Sequence, residues 1–257
     1  MNPRSFSLNR RTWLFQTGAL IGTAGLGALS GCSSEPFAHF EANAFSAPAQ
    51  LAIWGLEETS RAKVAKKIWK KLDEMDQEVL QAHLTPEVDF QMRGAALDEA
   101  ALILKGRELD GALLSIGEHV LALGERGFRP WHVGVPNPIN LKPLLSFDLF
   151  ADERLITLGQ YATYRQKEGD EITSKSMVSE IGECASCSVI LRGAGGARLA
   201  KIALQLYTSS QNDWQAVMKH EGLDTVLWVS KEGHYEASKN FASRSIMTDA
   251  RESLTII

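Results

Sequence analysis

The hydrophobic and polar positions of the chain predict a long amphipathic helix in its first third. Between residues 59 and 83, apolar side chains recur at three- and four-residue spacing, which is typical of one buried helix face. Thr59 and Ser60 begin this segment, where a hydroxyl side chain can cap a helix. Lysines at positions 66, 67, 70 and 71 fill the opposite face. We interpret this basic cluster as a solvated helix face rather than a binding surface.

Shorter patterns predict the other elements and the fold class. Helices are predicted over residues 95–105, 197–206 and 213–220, and strands over residues 51–55, 110–116, 131–135, 155–158, 188–191 and 225–229. Pro86 ends the first helix, and a turn is predicted from Gly124 to Pro130. Because strands and helices mix without regular β-α-β alternation, the predicted fold class is α+β in a single domain.

The N-terminal residues predict an export signal rather than part of the fold. Arg10 and Arg11 form the pair typical of twin-arginine (Tat) export, and residues 17–29 are mildly apolar. The sequence Leu-Ser-Gly-Cys over residues 29–32 resembles a lipobox, which predicts cleavage before Cys32 and a lipid on its sulfur. A transmembrane anchor is the alternative, but the apolar segment is short and rich in glycine.

This signal predicts the domain organisation and the location of the protein. Residues 1–31 are expected to be a lipoprotein signal peptide, residues 32–50 a tether, and residues 51–257 the folded domain. The mature protein is then a lipoprotein of the cell envelope, held at the periplasmic face of a membrane through Cys32. Ser33, which follows the cysteine, favours the outer membrane in cells that have one.

The charge balance excludes nucleic acid as a partner. The full chain has a net charge of −4, and removal of residues 1–31 takes away three arginines and no acidic residue, which leaves −7. An acidic chain without a basic run binds polyanions poorly.

Two further cysteines, Cys184 and Cys187, form the motif Cys-Ala-Ser-Cys. No histidine follows Cys187, so c-type haem attachment is excluded. A single pair of thiolates does not complete a zinc site. The pair is therefore expected to be a local disulfide or two buried thiols, with a redox switch as the alternative.

Several segments between Val88 and Gly233 resemble the FAD:protein FMN transferase (ApbE) family. The matching segments are 88–100, 113–120, 130–138 and 157–161, and the sequence Pro-Trp-His-Val-Gly-Val-Pro-Asn-Pro over residues 130–138 is the best of them. The resemblance implies the T-fold-like α+β domain of that family. It also assigns a group of residues to the flavin cofactor: Asp89, Arg93, Gly94, Asp98, Gly117, Thr157, Gly159 and Tyr161. Each of these could instead serve only a helix cap, an ion pair, a turn or the core.

The same resemblance locates changes that argue against catalysis. The family carries the ligands of Mg²⁺ at the start of a helix, where this chain has Arg198 and Ile202. Mg²⁺ prefers oxygen donors, and neither side chain supplies one. A glycine near the ligand becomes Glu118, and the segment before Asp89 is much shorter. We expect no magnesium site, at most weak FAD binding, and a cleft filled by Met92, Glu118 and Arg198, with Glu118 and Arg198 close together.

Three functions follow from these observations. The first is an exported lipoprotein of this fold without transferase activity, which assists a membrane-anchored flavoprotein or a respiratory redox complex. The second is an active transferase that moves FMN from FAD to a threonine or serine of a target protein. The third is an unrelated binding lipoprotein. No sequence motif indicates a hydrolase.

Overall fold

The computed structural model describes residues 37–81, 85–138, 143–159, 162–168, 171–176, 183–247 and 254–257. The expectations for the signal peptide, for Cys32 and for Tyr161 concern residues outside these ranges. Within them, no helix combines the length and the apolar character needed to cross a bilayer.

The described residues form fourteen strands and five helices. The strands are β1 (Phe37–Ala44), β2 (Ala47–Trp54), β3 (Gly111–Ile116), β4 (His119–Gly124), β5 (Trp131–Pro136), β6 (Pro143–Leu149), β7 (Glu153–Gly159), β8 (Thr163–Glu168), β9 (Glu171–Ser176), β10 (Ser186–Arg192), β11 (Val226–Val229), β12 (Tyr235–Ala237), β13 (Ser245–Met247) and β14 (Leu254–Ile256). The helices are α1 (Glu58–Gln81), α2 (Pro86–Lys105), α3 (Gly196–Tyr207), α4 (Trp214–His220) and α5 (Lys239–Arg244).

One large sheet organises the fold. Its nine strands run in the order β1-β2-β3-β4-β7-β10-β11-β12-β14, and neighbouring strands are antiparallel except for β12 and β14. A separate sheet has the order β13-β6-β5, and β8 and β9 form a hairpin. Strands and helices are therefore combined in an α+β domain, as the pattern predicts.

Both faces of the large sheet are covered, which explains the continuous apolar strands. Leu114 of β3 packs with α1 and α2 on one face, whereas its neighbour Leu113 packs with β5 and β6 on the other. All six residues of β3 are buried. A strand covered on both faces needs apolar residues at successive positions rather than at alternate ones.

The predicted tether is wrong over much of its length. Residues 37–50 lie within β1 and β2, which pair in register from Phe37 with Trp54 to Ala44 with Ala47. This hairpin forms one edge of the sheet, so residues 37–50 belong to the folded domain. The expectation of a start at Leu51 overlooked it because small residues and Pro48 weaken the strand pattern there.

Candidate functional site

Beneath the start of α2 lie three residues that the sequence analysis singled out, Asp89, Arg93 and Glu118. Thr85 caps this helix, since its hydroxyl accepts a hydrogen bond from the Val88 amide at 3.3 Å. Asp89 and Arg93 follow one helical turn apart and point towards the sheet, where Gly117 and Glu118 form the turn between β3 and β4.

Arg93 holds two buried carboxylates at once. Its Nη2 donates to Oδ2 of Asp89 at 3.0 Å, and its Nη1 donates to Oε2 of Glu118 at 3.0 Å. Nη2 also lies 3.4 Å from the Phe45 carbonyl oxygen, which accepts a hydrogen bond. Asp89 and Arg93 are both 0% exposed. Residues assigned to the flavin by resemblance are thus occupied with one another.

A second arginine extends this buried network. Nε of Arg165 on β8 donates to Oδ1 of Asp89 at 2.7 Å, and the Arg165 amide donates to Oδ2 at 3.2 Å. The Arg165 guanidinium also pairs with Asp76 of α1 and lies over the Phe45 ring, 5.3 Å from its centre. The network therefore ties α1, α2, β8 and the β3–β4 turn together through charged hydrogen bonds.

The low polarity of this interior changes two protonation equilibria. Burial raises the pKa of the Glu118 carboxyl, although the nearby Arg93 charge opposes the change. Burial lowers the pKa of His119 well below its usual value, and the positive charges of Arg93 and Arg154 lower it further. His119 packs on Phe90 with ring centres 4.2 Å apart, and neither of its ring nitrogens has a hydrogen-bond partner. His119 is therefore neutral at physiological pH.

The helices α2 and α3 touch through two glycines. A Cβ atom on Gly94 would lie 2.3 Å from the Gly196 carbonyl oxygen, so only glycine permits this approach. Beside the contact, Asp98 accepts a hydrogen bond from the Gly196 amide at 2.8 Å and pairs with Arg154 at 2.5 Å. Nε of Arg154 in turn donates to the Ala194 carbonyl at 2.6 Å. Gly94 and Asp98 thus position the first turn of α3.

The expected contact between Glu118 and Arg198 is wrong. Glu118 is buried against Arg93, whereas the Arg198 side chain is 63% exposed and pairs with Glu221 at 3.7 Å. The reason is the direction of α3, because Ile202 and its neighbours turn their apolar side chains into the core and leave Arg198 on the solvent face. The space around Glu118 and Asp89 is occupied instead by Arg93 of α2 and Arg165 of β8.

Comparisons with known proteins now add to this geometry. The profile of the ApbE family matches residues 46–227, which is more than half of the chain. The chain belongs to the ApbE family. An FAD:protein FMN transferase of Rhodobacter capsulatus is 28% identical over 159 residues, which are 59% of this chain and 29% of that protein. The chain therefore spans less than a third of the length of this curated relative.

Solved structures of ApbE proteins share the fold. An ApbE protein from Thermotoga maritima superposes with a TM-score of 0.63 at 13% identity, over 81% of this chain and 99% of that structure. The flavin transferase ApbE from Vibrio cholerae gives a TM-score of 0.59 at 11% identity, over 82% and 99% of the two chains. The Pseudomonas stutzeri flavinyl transferase ApbE gives 0.56 at 11% identity, over 83% and 99%. The predicted α+β domain of ApbE type is confirmed.

The residues present do not fit a magnesium ion at the start of α3 of this ApbE protein. Arg198 offers a cation, Ile202 is an aliphatic residue buried in the core, and Asp98 is held by Arg154 and the Gly196 amide. Among the residues that the structure describes, no three His, Cys, Asp or Glu side chains form a group suited to a metal.

The remaining predicted flavin contacts lie near the buried network or outside the described residues. The Thr157 amide donates to the Glu118 carbonyl at 3.1 Å, and the Thr157 hydroxyl lies 3.1 Å from that of Ser188. Gly117 has a φ of 54°, and its amide donates to the Pro48 carbonyl at 2.8 Å. Gly159 ends β7. Tyr161 lies outside the part of the chain that is described.

Cys184 and Cys187 are two buried free thiols, one of the two states expected for the pair. Their sulfurs lie 3.6 Å from the Tyr207 carbonyl and 3.4 Å from the Ala203 carbonyl of α3. Burial raises the pKa of the Cys187 thiol well above its usual range, and the neighbouring Cys184 raises it further. Both thiols therefore act as small core residues rather than nucleophiles.

Sequence reasoning missed Asp76, Arg165 and Arg154. Asp76 looks like one of many acids on an amphipathic helix, and Arg165 belongs to a polar strand with no recognisable motif. One signal was available for Asp76, since its position among the buried Leu72, Met75 and Val79 places it beside the apolar face of α1.

Proposed function

We propose that this chain is a catalytically inactive member of the ApbE family. It is exported, is held at a membrane through a lipid on Cys32, and binds a membrane-anchored flavoprotein or a subunit of a respiratory redox complex. The observation that carries the proposal is the mutual pairing of Asp89, Arg93 and Glu118. The family resemblance assigns Asp89 and Arg93 to the flavin and locates Glu118 at a former glycine near the ligand, and these three side chains pair with one another instead.

The charges of this interior disfavour an anionic ligand. FAD carries a pyrophosphate, which needs free hydrogen-bond donors or cations. Both terminal nitrogens of Arg93 are engaged by Asp89, Glu118 and the Phe45 carbonyl. To bind a phosphate, Arg93 would have to leave the buried Glu118 carboxylate without its cation and give up its bond to Asp89, which is costly.

The start of α3 supports the same proposal. Phosphoryl-group transfer depends on positive charge placed around the reacting phosphate, which a bound metal ion commonly supplies. At the two positions that the resemblance assigns to metal ligands, this chain has an exposed guanidinium and a buried aliphatic side chain. Neither supplies an oxygen donor to a magnesium ion.

The choice of a protein partner follows from what the fold retains. The relative from Rhodobacter capsulatus is named FAD:protein FMN transferase, a name that includes a protein substrate. A protein partner is therefore the ligand of the family name that does not require the cofactor contacts of the interior.

Calorimetric titration with FAD, with and without Mg²⁺, tests the proposal. We expect no magnesium-dependent FAD binding by the unmodified protein. The double substitution Arg198→Asp with Ile202→Thr places two oxygen-bearing side chains one helical turn apart and should restore part of it.

The matched control is Arg198→Gln with Ile202→Val, which removes the charge and trims the core without adding a carboxylate. Melting curves of both double variants establish that they are folded. Tight magnesium-dependent FAD binding by the unmodified protein would overturn the proposal in favour of an active transferase.

A further inference from the structure

The loop between β4 and β5 exposes an aromatic side chain that folding does not explain. The Arg126 amide donates to the Arg129 carbonyl at 2.8 Å and closes a tight turn with Gly127 and Phe128 at its centre. Both central residues have positive φ, 58° at Gly127 and 65° at Phe128. This conformation is unfavourable for a bulky residue. Phe128 is nevertheless 98% exposed, so its ring gains nothing from the core.

This loop lies beside the first described residue of the chain. A Cβ atom on Gly127 would lie 3.1 Å from the Trp54 ring. Trp54 pairs with Phe37 across the β1–β2 hairpin, and their ring centres are 6.0 Å apart. Phe37 and Trp54 therefore form an aromatic pair at one end of the large sheet, and the loop that carries Phe128 lies against this pair.

The sheet topology separates this end from the buried ion network. β1 begins here and β2 ends here, β3 begins at Gly111 and β4 ends at Gly124. The Gly117–Glu118 turn and the β1–β2 turn lie at the opposite end of the same strands. The end of the sheet that carries Phe37 and Trp54 thus faces away from Glu118.

The length of chain before Phe37 indicates what this end meets. Five residue steps separate Cys32 from Phe37. Each step spans at most about 3.6 Å, so a lipid on Cys32 would hold Phe37 within about 18 Å of the bilayer. This step rests on the lipid anchor that forms part of the proposed function.

We propose that the Phe128 loop is a membrane-docking element, which inserts Phe128 into the interfacial region of a phospholipid bilayer. Phenylalanine is among the side chains that interfacial elements bury at the boundary between headgroups and acyl chains. Arg126 and Arg129 flank the ring on either side and are placed to contact lipid phosphates. Glu125 is the one acidic residue in the loop, so arginines outnumber acids there. The docked loop fixes the orientation of the domain and turns the β3–β4 turn away from the membrane.

Site-directed fluorescence labelling tests this proposal on the full chain. Phe128→Cys is labelled with an environment-sensitive dye, and the protein is reconstituted through its lipid into vesicles of phosphatidylethanolamine and phosphatidylglycerol. Cys184 and Cys187 are buried and do not compete for the dye. The matched control is Ser46→Cys, an exposed position in the turn of the same β1–β2 hairpin. Seven steps of about 3.4 Å along β1 place it about 24 Å farther from the bilayer.

We expect a blue shift of the dye at position 128 and its quenching by lipids that carry a nitroxide, with neither effect at position 46. Equal emission and equal quenching at the two positions would overturn the docking proposal. Mass spectrometry of Cys32 tests the anchor separately. If no lipid is found there, the localisation proposal fails, and the two labelling variants are made with Cys32→Ser, so that this thiol takes no dye, and are mixed with the same vesicles. In that case, absence of a vesicle-dependent emission shift at position 128 rejects the proposal that the Phe128 loop docks on a membrane, and a shift supports that proposal.

Discussion

The side chain of Arg93 is the centre of the buried network, because it neutralises Asp89 and Glu118 together. The two acids are not equivalent. Asp89 also accepts hydrogen bonds from Arg165, whereas Arg93 is the cation paired with Glu118. Burial also raises the pKa of Glu118, so its charged form depends on the opposing charge of Arg93.

We predict unequal costs for removing the two partners of this ion pair. Arg93→Met leaves the buried Glu118 carboxylate without its cation, while Asp89 keeps Arg165, and should lower the free energy of unfolding by about 3–5 kcal/mol. Glu118→Gln keeps an oxygen acceptor for Arg93 and should cost much less. Urea denaturation at neutral pH measures both values. Equal losses for the two variants would show that the Glu118 charge is essential to the network.

The lowered pKa of His119 predicts how the stability of the protein responds to acid. Its pKa is lowered in the folded protein from a usual value of 6.5, so the unfolded chain binds the proton more readily. Stability should therefore fall as the pH decreases below that value, by about 1.4 kcal/mol per pH unit from this residue.

His119→Leu removes this titration and two unpartnered buried nitrogens, so it should flatten the pH dependence and leave the protein as stable or more stable. Denaturation between about pH 5.5 and about pH 7.5, one unit on either side of the usual histidine pKa of 6.5, measures the effect. His132→Gln, at an exposed histidine, is the control. An unchanged slope in His119→Leu would assign the acid sensitivity to another group.

At the scale of elements, the crossing of α2 and α3 depends on Gly94 and Gly196. Their backbones approach so closely that a methyl group on either would overlap the other helix. The sequence analysis gave Gly94 a cofactor contact or a turn as its two alternatives. The structure places it inside α2, where glycine is normally unfavourable, and the helix contact accounts for its presence.

Gly94→Ala should destabilise the protein by about 1–3 kcal/mol or more, because α3 has to move away from α2. Gly106→Ala is the matched control at the end of the same helix, where the nearest atom would lie 3.8 Å from the added carbon. That variant should be neutral or slightly stabilising. Thermal unfolding of both variants tests the contact. A neutral Gly94→Ala would contradict the close packing of the two helices.

The elements that sequence patterns predicted are those whose local pattern is strong. The period of α1 and the apolar core of β3 are visible without knowledge of the fold. The β1–β2 hairpin was missed because its strands are rich in alanine, and β4 was missed because its uniform burial removes the alternation of apolar and polar residues.

The buried ion network was only partly predictable from the sequence. Asp89 and Arg93 lie one turn apart, whereas Arg165 reaches Asp89 across 76 positions through tertiary packing.

For the molecule as a whole, location depends on the predicted lipoprotein signal. Cys32→Ala should leave a product without lipid, and replacement of Arg10 and Arg11 by lysine should retain the precursor in the cytoplasm. Fractionation with mass spectrometry of the N-terminal peptide measures both effects. Normal membrane anchoring of the Cys32→Ala protein would contradict the lipoprotein assignment.

The central proposal is that this ApbE-family chain keeps the fold without the transfer reaction. The most direct measurement is covalent transfer of FMN to a protein. The purified chain is incubated with FAD, Mg²⁺ and an acceptor protein, and the flavin transferase ApbE from Vibrio cholerae acting on the same acceptor is the positive control. We predict no flavin fluorescence on the acceptor after denaturing electrophoresis, even at high concentrations of this chain. More covalent FMN on the acceptor than in a reaction without this chain would contradict the account.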